Sequence, residues 1–193
     1  MRHGETAWTI TGQHTGRSDL ALTSRGEEQA RALAPRLKDL KFDHVLSSPL
    51  RRALRTSELA GFMGLATLDQ ELLEWDYGHY EGRTLVEIHR ERPEWDLFRH
   101  GCPGGESVLQ ITERVDRVVS RLRALEGNVL IFSSGHVLRV LAARWIDGSA
   151  ALGRSLVLDP AGVCVLGYDH GGADSVIRLW NDSARNFRGT WIP

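Results

Sequence analysis

The chain of 193 residues carries 24 Lys and Arg residues against 25 Asp and Glu residues, a formal net charge of -1 at pH 7. This balance excludes a general electrostatic attraction to nucleic acid or to an anionic membrane surface, so any preference for a phosphate group must be local. The length is typical of one domain with its own hydrophobic core, and we predict a single domain over residues 1–193. No apolar run approaches the roughly 20 residues that a membrane helix needs, and no leader is recognisable, so we do not expect a membrane as a partner. The balanced charge likewise gives no reason to expect nucleic acid as a partner.

The two cysteines, Cys102 and Cys164, have the spacing of neither a disulfide framework nor a zinc site. A reducing compartment is the simpler interpretation, and we expect a cytoplasmic protein. No cluster of carboxylates or histidines has the spacing of a metal site, so neither a metal ion nor another cofactor is expected.

Helical and extended segments alternate along the chain. Apolar periodicity and capping residues predict helices over residues 24–40, 48–61, 84–92, 107–125 and 135–145. Short apolar runs predict strands over residues 43–47, 66–68, 128–133, 162–168 and 175–180. This alternation predicts an α/β fold with a mainly parallel central sheet. The tail after Asn181 has little apolar periodicity and is expected to be loosely held.

Several residues predict helix boundaries. Ser24 followed by Glu27 fits a capping box, and Pro35 is expected to bend the first helix or to end it early. Ser48 and Pro49 fit the cap and the first position of the second helix.

The first segment with chemical potential is Arg2-His3-Gly4-Glu5-Thr6. One imidazole nitrogen can attack phosphorus if the other donates its proton to a fixed acceptor. A neighbouring guanidinium can neutralise the dianion that otherwise repels such a nucleophile. His3 and Arg2 supply both groups.

Arg52 belongs to a second segment, residues 47–53, at a predicted turn from strand to helix. Such a turn offers free backbone donors, and the helix dipole favours an anion there. We therefore predict that Arg52 points into a phosphate site. The alternative is a solvated basic face formed by Arg51, Arg52 and Arg55.

A third segment, residues 73–82, is acidic and rich in aromatic rings, and a fourth, residues 132–139, again leads from a strand into a helix. A carboxyl group walled by Trp75 and Tyr77 can have its pKa raised enough to hold a proton for a leaving oxygen, which makes Glu74 a candidate general acid. The alternative is an ordinary exposed glutamate in a loop.

The four segments together strongly resemble the histidine phosphatase superfamily, the phosphoglycerate-mutase-like enzymes. The motifs are Arg-His-Gly at 2–4, Ser-Ser-Pro-Leu-x-Arg-Ala at 47–53, Glu-x-x-Tyr-Gly-x-x-Glu-Gly at 74–82 and Ser-x-Gly-His-x-x-Arg at 133–139. The resemblance implies a three-layer α/β/α domain of the phosphoglycerate-mutase type.

The resemblance also assigns roles. It makes His3 the phosphorylated nucleophile, Arg2 and Arg52 the phosphate clamps and Glu74 the proton donor. The residues matching positions at the substrate are Thr9, Gln13, Thr15, Gly16, Tyr77, Ser134, Gly135 and His136. For the first four of these, an ordinary polar turn is the alternative.

The third motif and residues 95–107 are most similar to the branch of sedoheptulose bisphosphatases and broad acid phosphatases. This implies hydrolysis of a sugar phosphate or another small phosphomonoester without a cofactor. Phosphoglycerate mutases share the motifs but usually carry insertions and a longer tail, so a short chain favours hydrolysis. Dimers are common among such proteins, and the sequence leaves a homodimer open. Trp95 and Phe98 are interpreted as exposed residues that serve either a dimer interface or a lid over the substrate.

Two features depart from the family pattern. A second catalytic histidine normally stands just before the glycine of the fourth motif, and here Ser134 occupies that position. Losing one donor to a developing charge costs on the order of a hundred- to a thousandfold in turnover, so a phosphate-binding or regulatory module with impaired catalysis stays open as an alternative. An apolar strand normally precedes Arg-His-Gly, and here only Met1 does. A miscalled start codon, missing residues or an altered sheet each explain this, and we favour a truncated sequence, because the absence of a central strand exposes sheet edges and apolar surface.

Overall fold

The computed structural model describes residues 1–183 and contains, within them, eight α-helices and five strands. The helices are α1 (Ala7–Thr11), α2 (Ser24–Arg31), α3 (Ala34–Leu37), α4 (Arg51–Ser57), α5 (Leu85–Glu91), α6 (Leu97–His100), α7 (Val108–Ala124) and α8 (Gly135–Trp145). The strands are β1 (His44–Ser47), β2 (Thr67–Leu68), β3 (Val129–Phe132), β4 (Val163–Asp169) and β5 (Asp174–Asp182). A π-helical turn, Glu58–Phe62, continues α4.

The central sheet has the strand order β2-β1-β3, and both pairs are parallel. Neighbouring residues of β1 pack on opposite sides of it. Leu46 contacts an apolar cluster that includes residues of α7 and α8, whereas Val45 contacts a second cluster that includes Leu37 of α3. Because successive strand residues point to opposite faces, helices cover both faces of the sheet. The predicted three-layer α/β/α fold with a parallel central sheet is confirmed. The strands β4 and β5 form a separate antiparallel pair.

Residues 1–3 run parallel to the chain at the end of β3. The His3 amide donates to the Ser133 carbonyl at 2.9 Å, and the Ser133 amide donates to the Met1 carbonyl at 3.0 Å. On the other side, the Ala161 amide donates to the His3 carbonyl at 3.0 Å. His3 therefore lies at the carboxyl edge of a parallel sheet, the edge at which open α/β sheets bind ligands.

The predicted helix start at Ser24 matches α2, but the predicted cap of that helix and the predicted start of the next helix are wrong. The cap of α2 is Thr23, whose side chain accepts from the Gly26 amide, and the helix is already interrupted before Pro35. Helix α4 begins at Arg51, not near Ser48, because the Ser48 amide still donates to the carbonyl of Phe132 in β3. Hydrogen bonding to β3 therefore extends through Ser48 and moves the start of α4 toward the C-terminus.

The interpretation of Trp95 and Phe98 as exposed residues is wrong. Their exposed fractions are only 3% and 4%. The Trp95 indole donates to the Gly101 carbonyl, and its ring packs edge-on against Tyr80. Both rings therefore belong to the core and offer no surface for a dimer or a lid, and a homodimer stays a prediction without them.

The expectation of a loosely held tail falls mainly on residues 184–193, which lie outside the described residues, while Asn181 and Asp182 belong to β5. Within residues 1–183, each helix is too short or too polar to cross a membrane.

Arg114 of α7 binds the backbone of residues 71–74 through hydrogen bonds. Its guanidinium donates to both carboxylate oxygens of Glu106 at 2.7 Å and to the carbonyls of Glu71 and Leu73 at 2.7 Å. The side chains of Arg114 and Glu106 are only 10% and 14% exposed. Because a buried charge needs partners, this ion pair holds the chain that leads into Glu74.

We expect Arg114→Met to lower the free energy of unfolding by about 3–5 kcal/mol, because it leaves a largely buried carboxylate unpaired. Urea unfolding measures the loss. The matched control is Arg117→Met on the same helix, which removes an exposed ion pair with Glu71. Exposed pairs contribute little, so the control should lose much less. Equal losses in the two variants would contradict the role given to Arg114.

Candidate active site

A cavity of about 180 Å³ opens where β3 ends and α8 begins. Nine predicted site residues line it: Arg2, His3, Thr9, Gln13, Thr15, Glu74, Tyr77, Gly135 and His136. Three predicted residues, Arg52, Gly16 and Ser134, are buried and are not part of the lining. Five further lining residues escaped the sequence analysis as site residues: Trp8, Gly12, His14, Arg139 and Leu158.

His3 is a buried, neutral imidazole with a defined tautomer. Its Nδ1 lies 2.7 Å from the carbonyl oxygen of Gly4, and because a carbonyl only accepts, Nδ1 carries the proton. Burial, together with the positive charges of Arg52 and Arg2, lowers the pKa of His3 well below its ordinary value of 6.5. Nε2 therefore keeps a free lone pair in the cavity wall.

The two predicted clamps occupy different positions. Arg2 lines the cavity, and its Nη1 donates to the Leu158 carbonyl at 2.5 Å. Arg52 is fully buried, so the alternative of a solvated face is wrong for it, and its guanidinium donates to the carbonyls of Thr15, Gly16 and Ser18 at 2.8–3.0 Å. Arg52 thus acts on the cavity through its charge and through the loop that it holds.

Glu74 is buried, not an exposed loop residue, with an exposed fraction of 3%. Its Oε1 accepts from the amides of Trp75 and Val137, and its Oε2 accepts from the amide of His136 at 2.9 Å. These three amide donors fix the position of the Glu74 carboxyl group at the amino end of α8. Tyr77 lines the cavity beside it as predicted, whereas Trp75 does not, because its indole donates to the Glu106 carbonyl.

Ser134 is the residue before α8, and its side chain makes no capping hydrogen bond. Its hydroxyl and the Nε atoms of Arg2 and Arg52 are buried without a hydrogen-bond partner among residues 1–183. Buried polar atoms are nearly always paired, and each unpaired one costs about 1–3 kcal/mol. Arg2, Arg52 and Ser134 therefore each keep one side-chain atom that can still form a hydrogen bond.

The polar groups of residues 6–16 form hydrogen bonds with one another and with residues 81–82. Thr9 and Thr6 form a reciprocal capping box, and the Gln13 amide donates to the Gly82 carbonyl at 2.7 Å. The Gly16 amide donates to the Glu81 carboxylate at 2.9 Å. Much of their hydrogen-bonding capacity therefore shapes the loop, as the alternative of a polar turn expects.

Two histidines form the far wall of the cavity. The rings of His14 and His136 lie nearly parallel, with centroids 6.2 Å apart and an interplanar angle of 15°. Tyr77 contacts both rings, and its hydroxyl lies 2.5 Å from Nδ1 of His136. Arg139 lies one helical turn beyond His136 and stacks over Phe98 at 4.7 Å. Arg139 escaped the sequence analysis, although its spacing of three residues from His136, which places both on one face of α8, is a signal that could have identified it.

The low pKa of His3 predicts a dependence of stability on pH. Below about pH 6.5 the unfolded chain binds a proton at this residue while the folded chain does not, so the free energy of unfolding falls as the pH drops toward the folded pKa. The slope is at most about 1.4 kcal/mol per pH unit for one histidine. We expect His3→Asn, measured by urea unfolding between about pH 7 and pH 5, to fall less steeply than wild type. Parallel curves would refute the assignment of a neutral buried His3.

Comparison with known proteins places the chain in a family. A family model described as the histidine phosphatase superfamily (branch 1) matches residues 1–183. An acid phosphatase of Mycobacterium tuberculosis is 40% identical, and the match covers 89% of this chain and 86% of that protein. A sedoheptulose 1,7-bisphosphatase of Saccharomyces cerevisiae is 34% identical over 75% of this chain and 65% of that protein, just under two thirds of its length.

A solved structure agrees with the sequence matches. The solved structure of the product of an open reading frame of Mycobacterium tuberculosis superposes on this chain with a TM-score of 0.86 and 37% sequence identity. The match covers 94% of this chain and 95% of the chain in the solved structure. The resemblance drawn from the four motifs is confirmed, and the relatives' names support a phosphatase or phosphotransferase. By the match over residues 1–183 and the identity of these relatives, the chain belongs to the histidine phosphatase superfamily.

Proposed function

We propose that this protein is a phosphomonoesterase that hydrolyses a sugar phosphate or another small phosphomonoester through a phosphohistidine on His3. The observation that carries the proposal is the neutral His3 with an unprotonated Nε2, in a cavity that Arg2 also lines. The buried Arg52 lies behind this lining, and its charge contributes to the low pKa of His3. The two guanidinium groups supply the positive charge for a phosphoryl group, so the reaction needs no metal ion or cofactor.

In the first step, Nε2 of His3 attacks phosphorus and the bond from phosphorus to the leaving oxygen breaks. The leaving oxygen takes a proton from Glu74. Oε1 of Glu74 already accepts two amide donors and Oε2 accepts one, so Oε2 is the atom with room for that proton. The Gly4 carbonyl keeps hold of Nδ1–H and orients the ring throughout.

In the second step, water attacks the phosphohistidine, and the bond from phosphorus to Nε2 breaks. Glu74, now a carboxylate, takes a proton from that water and returns to its starting state. Arg2 and Arg52 offset the charge of the phosphoryl group in both steps. The products are inorganic phosphate and the free alcohol.

The test is phosphate release from p-nitrophenyl phosphate, sedoheptulose and fructose bisphosphates and phosphoglycerates, with His3→Ala as the blank. We expect release by wild type that vanishes in the blank, because the nucleophile is gone. Acid-labile phosphate trapped on His3 by rapid quenching is expected as well. No release above the blank would sink the proposal. Isomerised phosphoglycerate without net phosphate release would instead indicate a mutase.

Ser134 favours a second candidate, a phosphate-ligand binding or regulatory module with impaired catalysis. The residue stands where the family carries a second catalytic histidine, and its buried hydroxyl has no hydrogen-bond partner among residues 1–183. Tight binding of a sugar phosphate without phosphate release would support this candidate. Trapped phosphohistidine followed by release would exclude it.

We expect Ser134→His to raise phosphatase turnover, by up to about a hundred- to a thousandfold, because it restores a donor to the developing charge. Steady-state kinetics measure the change, and circular dichroism checks the fold. The matched control is Ser134→Ala, which should lower turnover if the hydroxyl recovers part of the missing donor. Equal or lower turnover in a folded Ser134→His variant would show that Ser134 is not a damaged catalytic position.

A further inference from the structure

The far wall of the cavity holds two ring nitrogens of opposite hydrogen-bonding character. Nδ1 of His14 lies 2.8 Å from the Arg83 carbonyl, which can only accept, so Nδ1 carries the proton and Nε2 of His14 is an acceptor. Nδ1 of His136 lies 2.5 Å from the Tyr77 hydroxyl. The direction of that second bond decides what His136 offers to the cavity.

Tyr77 donates to His136. The phenol is fully buried, and burial, with the charge of Glu74, raises the pKa of Tyr77 well above 10, so it keeps its proton. Burial, with the charge of Arg139, lowers the pKa of His136 well below 6.5, so the ring is neutral. Within residues 1–183, Nδ1 of His136 is the only hydrogen-bond partner of the Tyr77 hydroxyl, so the buried phenolic proton has that nitrogen as its acceptor. Nε2 of the neutral His136 ring is therefore an N–H donor.

We propose that Nε2 of His14 and Nε2–H of His136 bind a hydroxyl group of the substrate's alcohol part, so that the preferred substrates are phosphorylated polyols or sugars. This rests on the proposed phosphomonoesterase. A hydroxyl is the group that satisfies both nitrogens at once, because it donates to His14 and accepts from His136. An ether or a methylene satisfies at most one of them.

A second anionic group is the competing ligand for this wall, because Arg139 is nearby. Two of the Arg139 donor atoms are already engaged: Nε donates to the Gly153 carbonyl and Nη2 to the Arg154 carbonyl, both at 2.8 Å. A carboxylate or phosphate has no proton to donate to the lone pair of His14, and that lone pair repels it. The histidine pair thus favours a neutral hydroxyl.

Tyr77 is a positioning residue in this arrangement. Its hydroxyl holds the tautomer of His136, and its ring contacts His14 with centroids 4.9 Å apart. Tyr80 offers a matched control, because it belongs to the same loop and is buried, but its hydroxyl accepts from Arg92 and is not part of the cavity lining.

The test compares three esters of one chain length: sn-glycerol 3-phosphate, n-propyl phosphate and 3-phosphooxypropanoate. We expect kcat/KM to be at least about tenfold higher for the glycerol ester than for the propyl ester, because a site built around a hydroxyl rejects an analogue that lacks it. His14→Phe, His136→Phe and Tyr77→Phe should each lower this ratio, and Tyr80→Phe should keep it.

Equal kcat/KM for the glycerol and propyl esters, with phosphate release that depends on His3, would overturn this inference and leave the phosphomonoesterase intact. Preference for 3-phosphooxypropanoate would overturn it in favour of an anionic subsite. Absence of release from all three esters would count against the proposed function itself.

Nitrogen-15 chemical shifts supply a readout that needs no activity. We expect wild type to show a protonated Nδ1 on His14 and a protonated Nε2 on His136, and Tyr77→Phe to lose the fixed tautomer of His136. Protonated Nε2 on His14 or protonated Nδ1 on His136 in wild type would overturn the proposal.

Discussion

The cavity depends on the hydrogen bonds that hold the Glu74 carboxyl group at the amino end of α8. Its three hydrogen bonds with backbone amides join the loop after residue 73 to the helix that follows β3. Arg114 holds the same loop from the helical layer through the carbonyls of Glu71 and Leu73. With both attachments in place, Tyr77 lies against His136, and the loop forms one wall of the site.

Burial decides the protonation state of His3. Desolvation of the imidazole, together with the positive charges of Arg52 and Arg2, lowers the pKa of His3 and keeps the ring neutral. A neutral imidazole with Nδ1 committed to the Gly4 carbonyl has its lone pair on Nε2, which is the form a nucleophile needs. The Nε atoms of Arg2 and Arg52 have no hydrogen-bond partner among residues 1–183. The two guanidinium groups make this region locally positive, which favours an anionic ligand although the net charge of the chain is only -1.

Sequence predictions failed where a contact between distant segments overrides a local pattern. Ser48 and Pro49 read as a helix start, but the Ser48 amide pairs with Phe132 in the sheet, so α4 begins at Arg51. Trp95 and Phe98 lie in a polar stretch, yet both pack into the core beneath α7 and α8. His14 was passed over because one histidine in a polar turn carries no pattern of its own, and its role depends on Arg83 and on the stacked ring of His136.

The sequence by itself determined the alternation of strands and helices, the parallel sheet and the family, because these depend on periodicity and on short motifs whose residues are neighbours in the chain. It also identified nine of the residues that line the cavity. Only the tertiary structure decided that Arg52 and Ser134 lie behind the wall, that Glu74 is seated on the amides of α8, and which nitrogen of each histidine carries the proton. Burial and tautomers are set by hydrogen bonds between segments that are far apart in sequence, and no local pattern encodes them.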